Sequence, residues 1–243
     1  MSQSISRREA QLIEEIEDRE MLFFQPKDVQ RFLDITDRAS YNMLSRMKDK
    51  DLVENIESGK YILKDVLGSR DVYELASNIV DYSYLGFFSA LHFHGLTDQV
   101  PQKVQVAVTK RKDNLTVQGR EIEFVKIEKG HFFGYSKYGD TVASNPEKTI
   151  IDSLRLPGKT GDLSNILQLD YNQLDTGLLL DYTERTGSSA VASRIGLILD
   201  RKEIEFNTER LEDIITHYTP LDPQKTREKP VNKWKIYENR DIL

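Results

Sequence analysis

Residues 36–63 read TDRASYNMLSRMKDKDLVENIESGKYIL, and the periodicities within them decide how the first part of the chain folds. Thr36 has a side-chain oxygen suited to capping a helix, and Asp37 puts negative charge in the first turn, where the helix dipole favours it. From 37 to about 50, Ser40, Leu44 and Met47 recur at helical spacing and define an inward stripe. Two short apolar-containing runs follow, 52–57 and 60–63, joined by Ser58-Gly59. Glycine between two such runs marks a hairpin.

Working upstream, residues 5–21 carry Ile5, Leu12, Ile13, Ile16 and Met21 at roughly helical spacing. Pro26 suits a first helical position, and Val29, Phe32 and Leu33 give a short second helix. Three helices followed by a hairpin is the order of a winged helix-turn-helix. We assign it to residues 1–65.

Downstream, residues 64–70 form a polar link containing Gly68, and a boundary is expected there. Residues 72–81 and 85–95 read as helices. Residues 104–110 alternate as a strand, as do 120–128, with Ile122, Phe124 and Ile127 on the apolar side. A third strand is expected over 132–138, and 145–215 is mostly helical. Thr219-Pro220-Leu221-Asp222-Pro223, with the later Pro230, reads as an extended arm carrying the single tryptophan, Trp234. The fold class is therefore α+β: a winged helix-turn-helix followed by a larger α+β domain, 71–243, with a small sheet backed by helices.

At 243 residues the chain has room for one large or two ordinary domains. Apolar residues make up 38% and charged residues 30%, a globular balance rather than a disordered one. With no cysteine, disulfides and thiolate metal sites are excluded. The charged start lacks the apolar core of a signal peptide, and no apolar run approaches the ~20 residues that cross a bilayer. The expectation is a cytoplasmic protein. Its net charge of −6 argues against coating nucleic acid non-specifically, but a local patch is enough to bind.

The helix starting at Asp37 is the candidate reader of DNA. Its outward face presents Arg38, Asn42, Ser45 and Arg46, with Tyr41 on the flank and Lys48 and Lys50 near its end. Arginine pairs bidentately with guanine and asparagine with adenine, while Ser, Tyr and Lys suit phosphates. Residues 37–50 hold four basic and two acidic residues, a net +2, whereas residues 1–63 hold ten and thirteen, a net −3. The competing reading is a solvated helix in a winged helix used for protein contact. Lys60, at the hairpin turn, is the natural partner for a phosphate or the minor groove.

Other charged motifs are less specific. Lys110-Arg111-Lys112 sits on a loop and suits a phosphate, an acidic partner or plain solvation. A second basic cluster comprises Lys225, Arg227, Lys229, Lys233 and Lys235, against Asp222 and Glu228. Glu121, Glu123 and Lys126 form a loose acidic-acidic-basic set, with spacing that is not diagnostic of a metal-dependent nuclease. His92 and His94 point about 200° apart on a helix and cannot chelate together, so they read as packing residues. Asn145-Pro146-Glu147-Lys148 is a helix start in which Asn caps, Pro takes the first position and Glu meets the dipole. Lys148 and Asp152, at i and i+4, can pair. No phosphate-binding glycine loop or nucleophile elbow is present. No catalytic residue, metal or cofactor is assigned.

In order, several pieces resemble the AbiEi family of antitoxin-type transcriptional regulators. These are Phe88-Ser89-Ala90-Leu91-His92-Phe93-His94-Gly95-Leu96-Thr97, Asn145-Pro146-Glu147-Lys148-Thr149-Ile150-Ile151-Asp152 and Arg194-Ile195-Gly196-Leu197-Ile198-Leu199. Pro220-Leu221-Asp222-Pro223 with Asn232-Lys233-Trp234 is similar to the family's C-terminal arm. The resemblance covers nearly the whole chain. It implies a repressor that binds inverted repeats of double-stranded DNA in its own promoter, a target whose symmetry favours two copies on the DNA. It further implies that the second domain assists DNA binding and counters a nucleotidyltransferase toxin without a stable complex.

Overall fold

The computed structural model describes residues 4–226 and 229–242. Helix α1 (Arg7–Asp18) opens with a reciprocal cap, in which the Glu9 amide donates to Ser6 Oγ and the Ser6 amide to Glu9 Oε2 at 2.7 Å. Helix α2 (Pro26–Leu33) starts on its proline, and α3 (Asp37–Asp49) on Thr36, whose Oγ1 accepts from the Ala39 amide. Leu12 and Ile16, Val29, and Met43, Leu44 and Met47 converge from the three helices into one apolar cluster.

Strands β1 (Val53–Glu57) and β2 (Lys60–Leu63) pair antiparallel around Gly59, whose φ of +73° suits a residue without a Cβ. Their register slips between Asn55 and Glu57, and the Asn55 amide nitrogen donates to the carbonyls of Glu57 and Lys60 inside the slip. Val53 and Leu63 join the three-helix cluster, while Ile56 and Ile62 join the next core. The hairpin is thus shared between two cores.

The segment expected as a polar link is helix α4 (Lys64–Ser69), followed by α5 (Val72–Asn78). Beyond it lies a mixed six-stranded sheet of β3 (Ser83–Leu85), β4 (Val104–Val108), β5 (Leu115–Val117), β6 (Arg120–Lys126), β7 (Tyr135–Tyr138) and β8 (Thr141–Ser144). Its order is β5-β6-β4-β3-β8-β7. One face carries Val104, Val106, Val108, Ile122 and Phe124 against α5. The other carries Ala107, Val125 and Ile127 against Tyr84 and Phe87. Because both faces are covered, β4 is buried at every position rather than at alternate ones. Ile127 lies on the face opposite Ile122 and Phe124, correcting the expectation that they share one. Residues 129–131 form a 3-10 turn, and the strand expected over 132–138 is confined to β7.

Helices α6 (Phe87–Phe93), α7 (Pro146–Arg155), α8 (Ser164–Leu167), α9 (Thr176–Thr186), α10 (Ser189–Arg201) and α11 (Glu209–Glu212) back the sheet. Leu91, Ile150, Leu154, Leu179, Ile195 and Ile198 belong to their shared core. The extended arm folds as a three-stranded sheet of β9 (Thr219–Pro220), β10 (Lys229–Val231) and β11 (Ile236–Glu238), with Trp234 fully buried. The chain is α+β. Among the described residues no helix is long and apolar enough to cross a membrane.

Candidate nucleic-acid interface

Helix α3 separates its two faces cleanly. Ser40, Met43, Leu44 and Met47 are buried, and Arg38, Tyr41, Asn42, Ser45, Arg46 and Lys48 are exposed. At 100° per residue those six outward positions span an arc of roughly 160°. Among the described residues, the side chains of Arg38, Asn42, Ser45, Arg46 and Lys48 hold no hydrogen bond or ion pair. The carboxylates on or beside this face are Asp37 and Asp49 at the two helix ends, and the Asp37 carboxylate accepts from Gln30 Nε2 at 2.8 Å. The acidic excess of the segment lies elsewhere, with Glu14, Glu17, Asp18 and Glu20 exposed on and just after α1.

Two nearby lysines are committed. Lys50 turns toward α1, giving hydrogen bonds to Glu9 at 2.8 Å and to the Ser4 carbonyl at 3.0 Å. Its charge offsets the burial of the Glu9 carboxyl, which alone would raise the pKa. With the Ser6 bonds, it leaves that pKa below its ordinary value. Lys60 does not project from the hairpin turn as expected. Its Nζ donates to the Ile79 carbonyl and lies 3.4 Å from Glu57 Oε1. Glu57 also pairs with Lys112, whose ammonium lies 5.1 Å from the centre of the Phe124 ring. The turn therefore leans on the second part of the chain through Glu57, Lys60 and Lys112.

Of the loop cations, Lys110 and Arg111 are exposed and unpaired among the described residues. In the arm, Lys225 and Lys229 are exposed, and Arg227 lies outside the described residues. Lys233 pairs with Asp200 at 2.8 Å, and Lys235 donates to the Ile215 carbonyl at 3.1 Å. These two fasten the arm to the body.

The remaining polar motifs are engaged internally. Glu121 accepts from Lys103 and Asn114, and Glu123 from Lys159 and Gln105. Burial works to raise the Glu123 pKa, but these hydrogen bonds outweigh it and hold the carboxyl below its ordinary value. Lys126 is exposed. No group of three or more His, Asp or Glu suited to a metal occurs among the described residues. His92 Nδ1 sits 3.0 Å from the Tyr73 hydroxyl, and His94 Nε2 sits 2.6 Å from the Ser144 carbonyl oxygen.

The pairing of Lys148 with Asp152 forms across one turn of α7, and both side chains are fully buried. The Tyr84 hydroxyl donates to Asp152 Oδ2 at 2.8 Å and accepts from Lys148 Nζ at 3.3 Å. Burial lowers the Lys148 pKa against the pull of Asp152 and drives that of Tyr84 well up. Helical spacing announces the pair; nothing in it announces the burial. No local sequence signal marks Tyr82, which among the described residues is the most exposed of the large hydrophobic side chains, at 82%.

Fold and site together define an α+β protein in which a three-helix unit presents an uncommitted polar helix face. No protein-family model matches the chain, and no curated protein matches it. Among solved structures, it is similar to the crystal structure of the RV2827C protein from Mycobacterium tuberculosis. That likeness has a TM-score of 0.61 at 11% identity and covers 96% of this chain and 92% of that one. At such identity the likeness concerns the fold alone.

Proposed function

We propose that the chain is a DNA-binding transcriptional repressor whose N-terminal unit, a winged helix-turn-helix, lays α3 in the major groove. The observation that carries this is the outward face of α3, where Arg38, Asn42 and Arg46 have neither a partner nor a packing role among the described residues. Side chains able to pair with base edges are kept free on a helix held rigid from behind by Met43, Leu44 and Met47. The antitoxin role, against a nucleotidyltransferase toxin and without a stable complex, rests on the AbiEi resemblance.

The test is a mobility shift of the duplex directly upstream of the coding sequence. Arg38→Ala, Asn42→Ala and Arg46→Ala are each expected to weaken the shift by about 1–3 kcal/mol. Binding indifferent to all three substitutions removes the assignment of α3. For the antitoxin role, co-expression with the product of the neighbouring gene is expected to relieve its toxicity. Unchanged toxicity removes that part.

A further inference from the structure

In a winged helix the hairpin ordinarily offers cations to the phosphates beside the groove being read. Here it does not. Glu57 is acidic, Lys60 is spent on the Ile79 carbonyl and Glu57, and the turn contributes no free cation of its own. What the turn does is join two grooves, because Glu57 and Lys60 line both of them. The first reaches Lys27, Asp37 and Tyr41 at the start of α3. The second reaches Tyr82, Lys110 and Arg111. The turn therefore stands between the reading helix and the basic loop, with one groove on each side of it.

That far end is built unusually. Lys110 and Arg111 are exposed and unpaired among the described residues, and Asp81 and Glu57 are the carboxylates on the groove lining. Glu57 is matched by Lys60 and Lys112, so on the groove lining Asp81 is the carboxylate left facing the two free cations, while Asp113 lies exposed past Lys112 on the same loop. Tyr82 has φ +56° and 82% of its surface exposed. A bulky residue in the left-handed region is strained, and an exposed ring recovers none of that cost by burial. Glycine would relieve the strain, yet an aromatic ring is held out beside two unpaired cations.

We infer that Tyr82, Lys110 and Arg111 form a second contact for duplex DNA, gripping the sugar-phosphate backbone beside the stretch read by α3, in place of the hairpin. Lys110 and Arg111 neutralise phosphates, and the Tyr82 ring lies against the adjoining sugar edge. Lys112 holds the loop onto the turn through Glu57, which fixes the spacing between the two contacts.

This rests on the proposed DNA-binding function, and the test separates the two. Affinity for the upstream promoter duplex is measured by fluorescence anisotropy between 50 and 200 mM salt. Lys110→Ala combined with Arg111→Ala is expected to reduce the slope of log affinity against log salt by about 1.8, so that the loss over this range shrinks about tenfold. Tyr82→Gly is expected to fold at least as stably as the parent while binding about fivefold more weakly. Tyr82→Phe should bind like the parent. Variants that keep the parental slope and affinity, while Arg46→Ala still weakens binding, overturn the second contact and leave the function of α3 standing. A parent protein that binds no duplex overturns both.

Discussion

Gly196 of α10 lies directly beneath the indole of Trp234: a Cβ placed on that glycine would come within 2.3 Å of the ring. The absent side chain makes the slot in which the C-terminal arm docks. Around it Trp234 Nε1 donates to Asp200 at 3.0 Å, and Phe206 stacks at 5.8 Å between ring centres. Arg194, two residues earlier, is buried and gives hydrogen bonds to the carbonyls of Leu154, Pro220 and Leu221, so the same helix holds the arm at a second point. Burial pulls its pKa down to about 10, against the pull of Asp222.

Gly196→Ala is therefore expected to expel the indole and destabilise the fold by about 1–3 kcal/mol, the usual cost of overpacking. Because Trp234 is the single tryptophan, its emission reports the event directly. A red shift in the folded variant is expected; an unshifted spectrum with parental stability contradicts the slot.

The buried pair on α7 makes a second prediction. Lys148→Met leaves the Asp152 charge without its cation in a dry site, and is expected to cost about 3–5 kcal/mol. Lys148→Met combined with Asp152→Leu removes both charges and should recover most of that loss. Urea unfolding of the two single variants and the double variant decides it. Additive losses contradict the coupling.

Acid sensitivity has a local origin in Glu9. Its pKa is lowered in the fold, so below 4.5 the unfolded chain takes up the proton more readily than the folded one. The stabilisation is fully present above 4.5 and is lost as pH falls through the lower folded value. Glu9→Gln should remove about 1–2 kcal/mol at neutral pH, through the cap and the Lys50 bond, and flatten the acid limb of a stability–pH curve. An acid limb identical in the two proteins contradicts this.

Lys60 separates the sequence expectation from the observed geometry. Lys60→Met leaves the Ile79 carbonyl without its donor and frees Glu57 from one partner. A loss of about 1–3 kcal/mol in stability is expected, with the salt dependence of DNA binding unchanged. A reduced slope at parental stability would return Lys60 to the phosphates.

What was legible in the chain was local. The cap at Thr36, the inward stripe Ser40-Leu44-Met47, the Ser58-Gly59 turn and the start at Asn145-Pro146 each depend on neighbours within a turn or two, and each is found where the spacing puts it. What escaped depends on distant packing. Ser83–Leu85 is too short to show alternation and is covered on both sides, so Leu85 reads as the start of the following helix and Ser83 and Tyr84 fall in no expected element. Residues 64–69 carry Gly68 and polar side chains, yet Leu67 is buried and the segment is helical. The outward side chains of α3 were readable from periodicity alone. The diversion of Lys60 to Ile79, nineteen residues on, and the burial of Lys148 were not.

The central claim is that α3 reads base sequence. Selection from a random-sequence duplex pool, run in parallel with the parent and with Arg46→Ala, tests it most directly. The parent is expected to enrich one motif arranged as an inverted repeat, and the variant to enrich the same motif with discrimination lost at one position in each half-site. A parent pool that stays random, or a motif that survives Arg46→Ala, Arg38→Ala and Asn42→Ala unchanged at every position, would contradict it.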